Sequence, residues 1–402
     1  MRSLAAVTVA LITTVVHAQI ISTRCGAEQV RVGGTVDLRL IGCGEGFTDN
    51  LLWHLDRADS ADGSLDFKST RKATGKGVVI YLCDTGVMRD HDEFARADGP
   101  AVIGFIAVNG LGRDCPTGRN PALDPCWSGD AALSILTHGT ATASMAVGRN
   151  TGIAPDARLV SVYMENVGQD IGSWIRTFDA IIRHAFDPMT PQFKTGIINM
   201  SFTPNLASVA DPNFPAFEKK MREMIAGVDA GGNPDPNGKR FLFVTVAGNH
   251  VEGGSDQCDK NMNTNTFPGI LGASIDGLIT VGGIDATNYL WDRSCRGEAV
   301  DILAPAANLL VASLSARDHY RSGVASTAPY PGNYGTSYAA PYIAGIAALL
   351  LEKNPDLTPV ELESMIKSHA SHTANADEAT AAGRVAVFDG IFAIPGRRPG
   401  RR

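Results

Sequence analysis

Asp84, His138, Asn249 and Ser337 are the side chains of this 402-residue chain whose types and order suit attack on a carbonyl carbon. A serine hydroxyl becomes a nucleophile when a neighbouring base removes its proton, and histidine is the commonest base. A carboxylate fixes the tautomer of that base and stabilises its positive charge. An asparagine amide supplies a donor for the oxyanion that develops in the transition state. The four residues lie in the short strings Asp84-Thr85-Gly86, His138-Gly139-Thr140, Ala247-Gly248-Asn249 and Gly335-Thr336-Ser337. Singly these strings are ordinary, because Asp, Asn and Gly end strands as turn formers and serine caps helices. Together, in the order Asp, His, Ser, they supply every part that acyl transfer needs.

The hydrophobic pattern gives the elements that must position them. Val78–Cys83, Thr195–Met200 and Phe241–Ala247 are continuous apolar runs, the mark of parallel strands buried on both faces. Ala101–Val108, Arg158–Tyr163, Leu278–Gly282 and Val300–Ala304 read as further strands. Ser173–Ala185 has helical spacing through Trp174, Phe178, Ile181 and Ile182, and a charged helix is expected around Phe217–Val228. The small residues of Thr140–Val147 suit a tightly packed helix, with His138-Gly139-Thr140 opening it. After Pro341, the run Tyr342–Leu351 is apolar on nearly every face, so that helix should be buried. It is too short, and too interrupted by Gly345, to span a membrane. Strands alternating with helices predict an α/β fold with a parallel sheet covered on both faces. In such a sheet the site lies at the carboxyl ends of the strands, where Asp84 and Asn249 fall.

Composition bounds the rest. A hydrophobic content of 44% supplies a large core, and a formal net charge of −7 argues against nucleic acid or an anionic membrane as partner. Residues 1–18 have a basic start, an apolar stretch and Val16-His17-Ala18 before Gln19, the pattern of a cleaved secretory signal. Secretion to an extracellular or periplasmic space permits disulfides. Of the seven cysteines, Cys83 lies inside an apolar run and reads as a buried free thiol. The other six are expected to pair by proximity as Cys25–Cys43, Cys115–Cys126 and Cys258–Cys295, one of fifteen connectivities. Residues 19–46 alternate hydrophobic and polar across Gly33-Gly34, with Val30 and Val32 facing Val36, Leu38 and Leu40, which is a hairpin signal. Residues 393–402 are a basic, turn-rich tail.

From about Trp53 to Ile391 the chain resembles the subtilisin family of serine proteases (subtilases). The strings that carry the likeness are Asp84-Thr85-Gly86-Val87, His138-Gly139-Thr140, Asn199-Met200-Ser201, Val246-Ala247-Gly248-Asn249 and Gly335-Thr336-Ser337-Tyr338-Ala339-Ala340-Pro341. The resemblance implies a three-layer α/β fold over residues 47–392, with a mostly parallel seven-stranded sheet and helices on both faces. It implies a monomeric serine endopeptidase acting on polypeptides, with no cofactor for catalysis. Ser337 is then the nucleophile, His138 the general base and acid, Asp84 the orienting carboxylate and Asn249 an oxyanion donor. Val167, Gly168, Ser201, Phe202, Thr203, Ala247 and Gly248 match segments that flank an extended substrate, which pairs by added-strand hydrogen bonds. Asp285 falls near a calcium ligand of proteinase-K-like relatives, which makes it a candidate for structural calcium.

The chain also departs from the pattern. Ala141-Thr142-Ala143-Ser144 stands where the family usually has a second His and then Ala-Gly. Phe202-Thr203-Pro204 replaces the usual Leu-Gly-Gly, where glycine lets a substrate backbone approach closely. Tyr338 stands where Met is common, and Tyr342 where His is common. Residues 19–46 are too few for the inhibitory propeptide of many secreted relatives. They serve as a reduced pro-segment or as a permanent part, unless the enzyme folds without a pro-segment. A subtilase fold that binds peptides without cleaving them is the alternative function. A serine-carboxyl peptidase, with Glu in place of His, is disfavoured by His138 itself.

Overall fold

The computed structural model describes residues 35–37, 52–59, 65–66, 68–70, 72–107, 130–164, 171–201, 211–251, 257–312, 320–322, 334–372 and 384–385. The strands in chain order are β1 (Thr35–Asp37), β2 (Lys68–Thr70), β3 (Val79–Asp84), β4 (Val102–Ala107), β5 (Arg158–Tyr163), β6 (Thr195–Met200) and β7 (Arg240–Val246). They continue as β8 (Leu278–Ile284), β9 (Ile302–Pro305), β10 (Leu310–Ala312), β11 (Tyr320–Ser322), β12 (Ser371–His372) and β13 (Arg384–Val385). The helices are α1 (Trp53–Ala58), α2 (Asp130–Val147), α3 (Ile171–Ala185), α4 (Phe214–Ala226), α5 (Thr336–Lys353) and α6 (Pro359–Ser368).

Seven strands form a parallel sheet in the order β4-β5-β3-β6-β7-β8-β9, the three-layer α/β architecture expected. Two short strands extend its far edge: β13 joins β9 in parallel through Val385 and Leu303, and β12 pairs antiparallel with β13. The chain winds outward from β3 to β4 and β5, then reverses to β6 on the other side of β3. That reversal opens a crevice at the carboxyl end of β3, the usual place for a ligand in an open α/β sheet.

The period-2 geometry of a strand splits the core in two. Ile80 and Leu82 of β3 face the layer of α2, α5 and α6, while Val79, Tyr81 and Cys83 face α3 and α4. On the second face, α3 turns one stripe of Trp174, Phe178, Ile181 and Ile182 against Phe217 and Met221 of α4 and against Phe243 of β7. Each such side chain stabilises the fold by about 1.5–3 kcal/mol through burial. On the first face, α5 is apolar all round because it lies between the sheet and α2. A β-carbon on Gly345 would stand 2.6 Å from Ile153 Cβ, so glycine is what lets α5 close on the segment after α2.

Several boundaries differ from the sequence expectation for identifiable reasons. The helix α2 begins at Asp130, so His138 lies well inside it rather than opening it. Ala131-Ala132-Leu133-Ser134-Ile135-Leu136 is rich in good helix formers, and it extends the helix ahead of the motif. The helix α4 starts earlier than expected because Pro215 is tolerated in a first turn. It stops at Gly227, whose φ of 128° no helix accepts, and Val228 bridges Lys239 instead. The described part of the expected N-terminal hairpin, β1, pairs antiparallel with β2. The other arm, at Val30 and Val32, lies outside the described residues, as do the expected pairs Cys25–Cys43 and Cys115–Cys126. The Cys258–Cys295 disulfide is formed, and Cys83 is a buried free thiol.

Candidate active site

Asp84 is the last residue of β3, in register with Tyr163 of β5, and its carboxylate is buried to 1% exposure. Both of its oxygens are engaged. Oδ1 accepts from the Thr85 backbone N–H at 2.7 Å and lies 2.8 Å from His138 Nδ1. Oδ2 accepts from the Thr142 hydroxyl at 2.9 Å. The His138 side chain is 35% exposed, so the pair joins a buried carboxylate to an imidazole that reaches the open side of the sheet.

The approach of α2 to the strand end is what brings them together. A β-carbon on Gly139 would lie 2.2 Å from the Gly86 carbonyl oxygen, a distance no side chain tolerates. Gly139 therefore lets the helix backbone rest directly on the turn that follows Asp84. Its N–H donates to Thr85 Oγ1 at 3.0 Å, and the Met88 N–H donates to Thr140 Oγ1 at 2.9 Å. Three consecutive residues of α2 thus grip residues 84–88, and His138 is held against Asp84 by its neighbours as well as by its own bond.

Ser337 lies in the first turn of α5, after Gly335 at φ 149°. That is a backbone conformation that favours glycine. The Gly335 N–H donates to the Ala306 carbonyl at 2.7 Å, which anchors the turn to the end of β9. Asn249 follows β7, and its Oδ1 accepts from Thr336 N at 2.9 Å and from Thr336 Oγ1 at 3.0 Å. Asn249 Nδ2 and Ser337 N each stand 3.7 Å from the point a Gly335 β-carbon would occupy. Asn249 Oδ1 stands 3.8 Å from the same point, and all three atoms lie near the N-terminus of α5, where the helix dipole favours negative charge.

The loop carrying Asn249 is clamped from behind. The Asn249 N–H donates to Gln257 Oε1 at 2.7 Å, and the Cys295 N–H donates to the Gly248 carbonyl at 3.0 Å. The Cys258–Cys295 disulfide ties these two partners together. On the strand below, burial first and the Asp84 charge second push the Cys83 thiol well above its ordinary value. It stays protonated and faces the α3 side, away from Ser337.

The other residues singled out in the sequence divide into four groups. Ala247 and Gly248 lead directly into Asn249, with the Ala247 N–H donating to Val281 O at 2.8 Å. Ser201, fully buried at the end of β6, accepts from Asn199 Nδ2 at 2.7 Å. Val167, Gly168, Phe202 and Thr203 lie outside the described residues. Asp285, at the end of β8, accepts at Oδ1 from Thr287 N at 2.8 Å and from Tyr289 N at 3.3 Å. These bonds close the turn that follows β8. No group of three or more His, Cys, Asp or Glu side chains among the described residues is arranged to hold a metal. Two contributors escaped the sequence reading: Thr142, which looks like any small helix residue, and Thr336, whose hydroxyl and N–H both serve Asn249.

Comparisons with known proteins give the family and the fold. The chain is 28% identical over 327 residues to subtilisin-like protease 3 of Pseudogymnoascus destructans, covering 79% of this chain and 64% of that protein. It is 27% identical over 330 residues to alkaline serine exoprotease A of Vibrio alginolyticus, covering 80% of this chain and 47% of that protein. The chain thus spans about half to two thirds of the length of these relatives. The crystal structure of a cold-adapted subtilisin-like serine proteinase superposes with a TM-score of 0.58 at 22% identity, covering 83% of this chain and 97% of that one, which establishes the likeness of fold. The sequence model of the subtilase family, Peptidase_S8, matches residues 75–386, a span that contains all four candidate residues. The chain belongs to the subtilase family.

Proposed function

We propose that this protein is a secreted serine endopeptidase acting on polypeptides. In this reading Ser337 Oγ attacks the scissile carbonyl carbon while its proton passes to His138. Nδ1 of His138 is committed to Asp84, so Nε2 is the nitrogen that exchanges protons with Ser337. The negative charge that develops on the carbonyl oxygen enters the space between Asn249 Nδ2 and the Ser337 N–H. Collapse of the tetrahedral adduct breaks the C–N bond, and the leaving amine takes the proton from Nε2. Water then attacks the acyl-serine with the same base and releases the acid.

The observation that carries the reading is the 2.8 Å contact between His138 Nδ1 and the buried Asp84 carboxylate at the crevice of the sheet. A buried carboxylate on one imidazole nitrogen fixes the tautomer and favours the imidazolium. Labelling by a fluorophosphonate probe tests it. Wild-type protein is expected to label and to cleave peptides, whereas Ser337→Ala does neither while keeping its melting temperature. Absence of labelling in folded wild-type protein, under conditions that label an active control, would leave a peptide-binding subtilase fold. Hydrolysis retained by Ser337→Ala would remove the nucleophile assignment.

A further inference from the structure

Thr142 lies one helical turn beyond His138 on α2 and is fully buried. Its Oγ1 stands 2.9 Å from Asp84 Oδ2 and 3.1 Å from the Gly139 carbonyl oxygen. A threonine hydroxyl has a single proton to give. The carboxylate is the closer acceptor and carries charge, while the Gly139 carbonyl already faces the N–H ladder of its own helix. The proton therefore goes to Oδ2.

Residues four apart share one face of a helix. The helix that delivers His138 to Oδ1 thereby delivers Thr142 to Oδ2 of the same carboxylate. Asp84 is held at both ends, by His138 and Thr85 N at Oδ1 and by Thr142 at Oδ2. With Oδ2 released, the carboxylate can turn about its Cβ–Cγ bond and carry Oδ1 out of line with Nδ1.

We propose that Thr142 is a positioning residue for hydrolysis: its hydroxyl locks the Asp84 carboxylate in the orientation that aligns His138. The proposal rests on the reading of Asp84, His138 and Ser337 as a hydrolytic triad. The alignment matters most when His138 carries a proton, because Oδ1 stabilises the imidazolium only along the Nδ1–H direction. Thr142, buried behind the carboxylate, acts through Asp84 and not on the substrate. Its loss therefore falls on kcat and spares KM.

Thr142→Val keeps the side-chain volume and removes the donor, whereas Thr142→Ser keeps the donor and removes a methyl group. In steady-state hydrolysis of a chromogenic peptide, with active sites counted by titration, Thr142→Val is expected to lower kcat about 10- to 100-fold. That is the scale of a lost hydrogen bond to a buried charge. KM should stay within about twofold, and Thr142→Ser should recover kcat to within about threefold of wild type. A purely structural role would lower the melting temperature of both variants and leave kcat per active site unchanged. Wild-type kcat in Thr142→Val, or a Thr142→Ser as impaired as Thr142→Val, overturns the proposal. Should Thr142→Val fail to fold, Thr142→Ala makes the same comparison against Thr142→Ser. Ser337→Ala, run alongside, separates the two levels. Its continued activity would reject the triad itself, while an inert Ser337→Ala beside an unimpaired Thr142→Val rejects the role of Thr142 alone.

Discussion

Replacing Gly139 by alanine sets the preference of a helix against the packing that holds His138. In an exposed helix the exchange gains about 0.5–1 kcal/mol, because alanine loses less backbone freedom than glycine. Here the new β-carbon would begin 2.2 Å from the Gly86 carbonyl oxygen. Ordinary contact needs 3.4 Å, so helix and turn must separate by about 1.2 Å. Neither side is a flexible side chain, since Gly86 belongs to the turn that follows Asp84 and Gly139 adjoins His138. A displacement of that size carries the 2.8 Å contact between His138 and Asp84 beyond hydrogen-bond range. Misplacement of catalytic groups by about 1 Å costs on the order of 100-fold in rate. Overpacking a tight site costs about 1–3 kcal/mol, which more than cancels the helix gain. Gly139→Ala should therefore fold with a lowered melting temperature and a kcat reduced about 100-fold, read with a peptide substrate and by calorimetry. A variant with wild-type kcat and a raised melting temperature would mean that helix propensity wins. The close approach of α2 to Gly86 would then play no part in positioning His138.

Two further outcomes follow from the same geometry. Asn249→Ala removes one of the two donors around the oxyanion space and should lower kcat by about 10²–10³, with KM nearly unchanged. A rise in KM at constant kcat would place Asn249 in ground-state binding instead. Away from the site, burial pushes the Asp301 carboxyl up to about 6, against the opposing pull of the Lys367 ammonium. Its folded value lies above the ordinary 3.8, so proton binding favours the fold. That contribution is present below about pH 4 and is lost as the pH rises through about 6. Asp301→Asn cannot titrate, so its melting temperature relative to wild type should climb between pH 4 and pH 7. A constant difference across that range would show that Asp301 does not titrate in this way.

The sheet was legible because strands buried on both faces read as unbroken apolar runs. Arg158–Tyr163 and Thr195–Met200 even keep the expected ends. Asp84 and Asn249 were legible because they terminate two such runs. What escaped notice depends on contacts between distant segments. In α1, the stretch Trp53-His54-Leu55-Asp56-Arg57 carries charges and looks like surface, yet all five residues are buried. Arg57 donates to Asn288 Oδ1 and Ser371 Oγ, and Asp56 Oδ1 accepts from the Asp66 N–H. Those partners are remote or loop-borne, so no local pattern announces them. The helix α6 did have a local signal, the capping box of Thr358 and Glu361 around Pro359. The start of α2 is hidden in the sequence because the motif around His138 reads like a beginning. The structure shows that the motif is a contact point on a longer helix.

The winding of the sheet also sets when the proposed site can first assemble. The parts of the site arrive in the order Asp84, His138, Asn249 and Ser337, each on a different segment of the chain. The serine belongs to α5, which follows β6 to β9 in the chain and packs between the sheet and α2. No fragment that ends before α5 contains both nucleophile and base. The proposed nucleophile therefore joins the proposed base only once α5, one buried helix, has been made and has docked.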